Sequence, residues 1–195
     1  MIKSIFRLLN FKTILVLVLY LIFKNDNNNI RAYEIKEESM RPALMPEDYV
    51  LSTKLKEAPK RGDLVIFMNH EKNIDVIKRV IGLPGDKIQF INSNLYINNN
   101  EVFKSLISKS DVIFCGNRTI DVFTFEEKLK NNKLHKTVYL KNFSFNDSDT
   151  FIVPEDHYFF LGDNRDCSKD SRFLSSVGYV HKDNLVGKAQ FIFFS

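Results

Sequence analysis

The hydrophobic rhythm of the chain changes along its length, and each change predicts a different kind of element. Thr13 to Phe23 is an unbroken apolar run, Thr-Ile-Leu-Val-Leu-Val-Leu-Tyr-Leu-Ile-Phe, preceded by Lys3, Arg7 and Lys12. Alone it falls short of the ~20 residues that cross ~30 Å of hydrocarbon. Reaching back to Ile5 supplies the length, because long cationic stems snorkel to the headgroups. A cleaved signal peptide has the same charge pattern, although Ile30-Arg31-Ala32 is a poor cleavage site. A buried core helix is the third reading, but a segment apolar on all sides suits a membrane better. Residues 1–31 are therefore expected to form a cytoplasmic tip, a transmembrane helix and a polar, Asn-rich linker from Lys24. The preceding cations place the N-terminus in the cytoplasm and the remainder on the far side of the membrane.

From Ala32 onward the signal is β. Tyr49–Thr53 follows Pro46-Glu47-Asp48, and Asp63–Phe67 follows Pro59-Lys60-Arg61-Gly62. Val76–Ile81 is rich in β-branched residues and ends at Leu83-Pro84-Gly85-Asp86. Lys87–Phe90 and Leu95–Ile97 flank Asn-Ser-Asn and read as a hairpin. The apolar pattern returns at Phe151–Pro154, His157–Leu161 and Leu185–Phe194. Short strands between turn residues predict an antiparallel β-sandwich or barrel over residues 32–195. Residues 101–150 differ: they are rich in Asn, Lys and Phe and carry no recognisable motif. This stretch reads as a small insert, with a short helix expected at Phe125–Lys130 from its spaced Glu and Lys residues.

Composition narrows the picture only a little. A chain of 195 residues holds one catalytic domain. The net charge of +4 is modest and, with the basic residues forming no long block, argues neither for nor against nucleic acid; no nucleic-acid partner is expected. Cys115 and Cys167 are too few for a disulfide framework; one bridge is possible, but the spacing does not argue for it. The scattered histidines give no metal-ligand pattern with them. Neither metal nor cofactor is expected.

The candidate chemistry lies in short blocks. Ser39 precedes Met40-Arg41-Pro42, and Lys78 opens Lys-Arg-Val-Ile-Gly-Leu-Pro-Gly-Asp. Serine needs a base to take its proton, and lysine serves if it is held neutral. A free lysine titrates near 10.4, so a base poised near 7 or 8 needs roughly 4 kcal/mol of bias against the charged form. Burial supplies that bias by desolvating the ammonium, and the apolar flanks Val76-Ile77 and Val80-Ile81 place Lys78 on a buried type of strand. Taken alone, Lys78 reads as a surface lysine, Ser39 as a strand end or helix cap, and Pro84-Gly85-Asp86 as a turn. Asp163 and Asp170 could be metal ligands, but Arg165 and Arg172 in the same stretch favour ion pairing.

The blocks gain weight from conjunction and order. With Gly162-Asp163-Asn164-Arg165-Asp166-Cys167-Ser168-Lys169-Asp170-Ser171-Arg172, they resemble the motifs of type I signal peptidases. These are membrane-bound Ser-Lys endopeptidases that cut signal peptides from exported preproteins. The resemblance covers the anchor, residues 35–86, and 151 to the C-terminus, but not the insert.

It implies that Ser39 is the nucleophile, Lys78 the general base, and Ser168 a third group that hydrogen-bonds and orients the lysine. It makes Arg79 with Asp163, and Asp170 with Arg172, structural ion pairs. It places Ile35, Met40, Leu44, Val76 and Ile77 at a groove that takes an extended peptide by β-augmentation. The implied partners are the signal peptides of preproteins and the lipid bilayer, with the enzyme a monomer in the inner or plasma membrane. The chain departs from the pattern at Ala43, where the family usually has Thr, and at Glu37-Glu38. In some members a hydroxyl at the position of Glu37 helps the Ser39 N–H hold the oxyanion, whereas an ionised Glu37 would repel it. Rival readings are a conjugation-system maturation peptidase of the same fold, or a catalytically silent, membrane-tethered peptide-binding module. A soluble self-cleaving repressor would need a DNA-binding region, for which the chain has no room.

Overall fold

A computed structural model describes residues 30–116, 118–130, 132–141 and 147–195. The apolar run Thr13–Phe23 lies outside them, and no helix among the described residues is long and apolar enough to cross a membrane. Among the described residues all pairings between strands are antiparallel. The main sheet has seven strands: β1 (Arg31–Glu34), β2 (Tyr49–Thr53), β3 (Leu64–Asn69), β4 (Ile74–Gly82), β12 (His157–Leu161), β13 (Val180–His181) and β14 (Leu185–Phe194). Their spatial order is β1-β2-β14-β3-β4-β12-β13.

Strands β3, β4 and β12 are the apolar centre. Val65, Phe67, Val80 and Phe160 are buried together, with the Phe67 and Phe160 rings 4.6 Å apart. A four-stranded sheet packs beside them: β5 (Lys87–Ile91), β6 (Asn94–Ile97), β7 (Asn100–Glu101) and β11 (Phe151–Ile152). The hairpin turns at Asn92-Ser93, both at positive φ, the backbone that a two-residue turn between twisted strands demands. Its inward residues Ile88, Phe90, Leu95 and Ile97 join Ile81, Phe159 and Leu161 in a second apolar cluster.

The stretch read as an insert contains a third sheet of three strands: β8 (Phe103–Cys115), β9 (Arg118–Lys128) and β10 (Leu134–Leu140), in the order β10-β9-β8. This corrects the helix expected at 125–130. Strand β9 pairs along both edges and runs to Lys128. The β-branched and aromatic run Thr119–Phe125 outweighs the helical spacing of the charges that follow. Val122, Ile113 and Val138 form a small core of this sheet.

Candidate active site

The short 3-10 turn Glu38–Met40 carries Ser39 into the protein, where both Ser39 and Met40 are buried. Met40 anchors that turn in an apolar cluster with Ile35, Leu44 and Val50. Lys78 sits mid-way along β4 opposite Val65, only 3 % exposed. Its Nζ lies 2.7 Å from Ser39 Oγ and donates to the Ile77 carbonyl at 3.1 Å. Burial is the largest influence on the amine and pushes its pKa below the ordinary lysine value. The carboxylates of Asp170, Glu37 and Asp163 oppose that shift without reversing it. A buried serine hydroxyl thus touches an amine biased toward its neutral, proton-accepting form, which is what an activated nucleophile requires.

The segment after β12 holds this pair from behind. Asn164 donates its backbone N–H to the Ser39 carbonyl and its side-chain amide to the Glu38 carbonyl, each at 3.1 Å. Arg79 grips Asp163 with Nε at 2.7 Å and Nη2 at 2.6 Å, and Nη1 donates to the Gly62 carbonyl. Arg172 grips Asp170 at 2.8 and 2.9 Å, and the same carboxylate accepts the Gly162 N–H at 3.0 Å. All four charged groups are buried. Gly162 is required for a packing reason: a Cβ there would collide with the Ser168 side chain and the Ser39 carbonyl.

Ser168 does not make the bond expected of it. It is buried against Gly162, yet its Oγ has no hydrogen-bond partner. The bond to Lys78 is therefore not made in this structure, and Lys78 is oriented by Ser39 and the Ile77 carbonyl instead.

A groove of about 290 Å³ opens beside the pair. Ile35, Met40, Val76 and Ile77 line it together with Ser39 and Lys78. Leu44 does not; it packs beneath, in the cluster that supports the serine turn. Tyr33, Ile66 and Asp75 also line the groove and escaped sequence reading. The Tyr33 hydroxyl donates to Asp75 at 2.9 Å, a contact 42 positions apart that no local pattern announces. Strand β12 pairs with β4 at Arg79, Val80 and Gly82, so the Asp75–Lys78 half of β4 has β3 on one edge and the groove beside it. Glu37 is solvent-exposed at the rim, while Glu38 is engaged by Arg41. A larger cleft, about 540 Å³ and lined by Thr53, Lys60 and Phe191 among others, contains neither Ser39 nor Lys78.

Cys115 of β8 and Cys167 are joined by a disulfide, the pairing that spacing could not decide. It fixes the third sheet to the residue just before Ser168.

Comparisons with known proteins identify the family. The family model described as "Signal peptidase, peptidase S26" matches residues 6–194, the insert included. A "Signal peptidase I" of Rickettsia massiliae is 34% identical over 194 residues, covering 84% of this chain and 71% of that protein. One from Rickettsia bellii is 43% identical over 145 residues, covering 70% of this chain and 48% of that protein. A solved signal peptidase I from Enterococcus faecalis aligns at a TM-score of 0.44 and 28% identity, over 69% of this chain and 98% of that one. The chain belongs to the peptidase S26 family of signal peptidases, which are serine endopeptidases.

Proposed function

We propose that the chain is a membrane-bound endopeptidase that cleaves signal peptides from exported preproteins with Ser39 as nucleophile and Lys78 as general base. The observation that carries this reading is the buried 2.7 Å contact between Lys78 Nζ and Ser39 Oγ at the edge of a peptide-sized groove. An extended substrate adds as a strand alongside the open half of β4, its side chains entering the shallow apolar wall formed by Ile35, Met40 and Ile77.

Ser39 Oγ attacks the scissile carbonyl carbon while neutral Lys78 takes the hydroxyl proton. The tetrahedral oxyanion is held by the Ser39 backbone N–H, and the charge of solvent-exposed Glu37 at the groove rim is screened by water. Collapse breaks the peptide C–N bond, and the Lys78 ammonium returns the proton to the leaving amine. Lys78 then deprotonates a water that attacks the acyl ester, and its ammonium returns that proton to Ser39 Oγ as the ester C–O bond breaks, which releases the signal peptide's new carboxyl terminus and restores both Ser39 and neutral Lys78. The paired arginines take no proton in this cycle; they hold Asp163 and Asp170, whose carboxylates would otherwise lie unpaired beside the base.

The apolar run Thr13–Phe23 supplies the membrane tether, with the catalytic domain on the extracytoplasmic side. The test joins chemistry and place. A serine-directed covalent inhibitor should label Ser39 and block cleavage of a preprotein, and the chain should remain with membranes through a carbonate wash. Protease added outside the cytoplasm should digest the catalytic domain in intact membrane preparations. An unlabelled, inactive protein is the outcome expected of a silent peptide-binding module.

A further inference from the structure

The β8–β10 sheet carries no motif and contributes no residue to the groove, yet it grips the segment that holds the nucleophile. Glu127, on β9, is 1 % exposed and receives both arms of Arg165, itself 1 % exposed, at 2.7 and 2.6 Å. The Tyr139 hydroxyl accepts from Arg165 at 2.5 Å and donates to Glu127 at 2.9 Å. Val138 of β10 brackets Asn164 through the backbone: its N–H donates to the Asp163 carbonyl, and its carbonyl accepts the Arg165 N–H, each at 3.0 Å. The Leu140 N–H donates to Asp166 at 2.8 Å. The disulfide from Cys115 to Cys167 closes the attachment. Asn164, fixed on both sides, in turn holds the carbonyls of Glu38 and Ser39.

We propose that this sheet is a clamp that sets the position of Ser39 against Lys78, with Glu127 as a positioning residue and the Cys115–Cys167 disulfide as its second hold. The proposal rests on Ser39 and Lys78 being the reacting pair. The chain of contacts runs from Glu127 to Arg165, from the Arg165 backbone through Asn164, and from Asn164 to the Ser39 carbonyl. Removing the Glu127 charge leaves Arg165 buried without its counter-ion, so the segment shifts to hydrate it. Opening the disulfide frees the residue beside Ser168 while leaving the charge pair in place. Either change moves the nucleophile relative to the base, and small displacements of reacting groups cost rate steeply. Neither touches the groove, which is built from β1, the serine turn, β3 and β4. The clamp therefore governs turnover and not substrate affinity.

The experiment uses the full chain in detergent micelles with a preprotein substrate, well below the melting temperature. Glu127→Gln, the pair Cys115→Ser with Cys167→Ser, and folded wild-type protein treated with dithiothreitol are compared with untreated wild type. Each should lose kcat by on the order of 10- to 100-fold with KM unchanged within about twofold, and labelling of Ser39 should slow in parallel. Reducing already folded protein separates positioning from any failure to fold, and circular dichroism confirms that the sheets persist. A wild-type kcat in all three, or a rise in KM with kcat intact, overturns the clamp. A wild type that is itself neither active nor labelled overturns the assignment of Ser39 and Lys78 as well, so the two failures are told apart.

Discussion

The β3–β4–β12 centre and the β8–β10 sheet meet across the segment Gly162–Arg172, and they are held by opposite means. The centre is apolar, and its buried charged groups lie around the proposed reacting pair: Lys78, and the pairs Arg79–Asp163 and Arg172–Asp170. The third sheet has a small apolar core of its own and is joined to that segment by a buried ion pair, a disulfide and a backbone bridge. Nondirectional burial suffices to build a core. Directional bonds are what fix one segment in one place, and the segment so fixed is the one that backs Ser39.

The largest effect lies at the centre. Ser39→Ala, Lys78→Ala and Lys78→Arg should each cut kcat by at least about 10³-fold, because nucleophile and base act as a unit and arginine cannot be deprotonated here. The fold should persist in Ser39→Ala and Lys78→Ala, which remove no ion-pair partner, although truncating the buried Lys78 stem leaves a cavity that lowers the melting temperature somewhat. Steady-state cleavage of a preprotein and a thermal melt check both halves. Retained turnover in purified Lys78→Ala would remove lysine as the base. Burial lowers the pKa of Lys78, so the rising limb of kcat/KM against pH should fall well below the ordinary lysine range.

Next in size is the pair that joins the centre to the shared segment. Arg79→Ala strands the Asp163 carboxylate, which is 1 % exposed. Breaking one side of a buried pair costs about 3–5 kcal/mol, roughly 6–20 °C in melting temperature for a chain of this size. Denaturant titration of Arg79→Ala against Arg79→Lys, which keeps the charge but loses the fork, measures how much of that cost is geometric.

The same contrast explains what could be read from the sequence. The centre was legible because its strands alternate or run continuously apolar between Pro and Gly turns, and because Ser39, Lys78 and the Gly162–Arg172 block keep fixed letters in a fixed order. The third sheet was not. Glu126-Glu127-Lys128 reads as solvated charge on a helix, and the counter-ion that lets Glu127 be buried on a strand, Arg165, is 38 positions away. The disulfide joins cysteines 52 positions apart, and the Tyr33–Asp75 contact across the groove is similarly long-range. Local pattern specifies elements; it carries no record of which buried charges meet once the sheets pack. Leu44 shows a smaller form of the same limit: its apolar character was plain, but whether it lined the groove or lay beneath it depended on the turn at Ser39.

A third test separates the regions by acid. His135 on β10 is buried beside Glu127, with Nε2 3.6 Å from its carboxylate, too far for a hydrogen bond, and neither ring nitrogen has a partner. Burial lowers its pKa from 6.5 to about 4, against the pull of Asp163 and Glu127 and with help from Arg79 and Arg165. The folded state therefore resists a proton that the unfolded chain accepts. This contribution to stability is present above pH 6.5 and is lost as pH falls toward 4, about 3 kcal/mol at the full shift. His135→Leu, which forfeits no hydrogen bond, should be less acid-sensitive than wild type in urea titrations at pH 7 and pH 4. Equal slopes against pH would place the acid response elsewhere.

The smallest expected effect is also the control for the clamp. Val122 is fully buried in the core of the third sheet, packed with Ile113 and Val138, and supplies neither a partner of the Arg165 fork nor a sulfur of the disulfide. Val122→Ala deletes two methyl groups from a well-packed site, a loss of about 1–2 kcal/mol from transfer and residual cavity together. If the sheet mattered to catalysis merely by being stable, this variant would lose turnover in proportion to its lost stability, as Glu127→Gln would. If instead the sheet acts through Glu127, Val138's backbone and Cys115, then Val122→Ala should lower the urea midpoint while kcat and KM stay within about twofold of wild type below the melt. Plotting kcat against stability for the two variants decides between these accounts. A common line means that the sheet supports the site only by staying folded. A Glu127→Gln point far below a Val122→Ala point of similar stability means that turnover depends on where the sheet grips the segment behind Ser39.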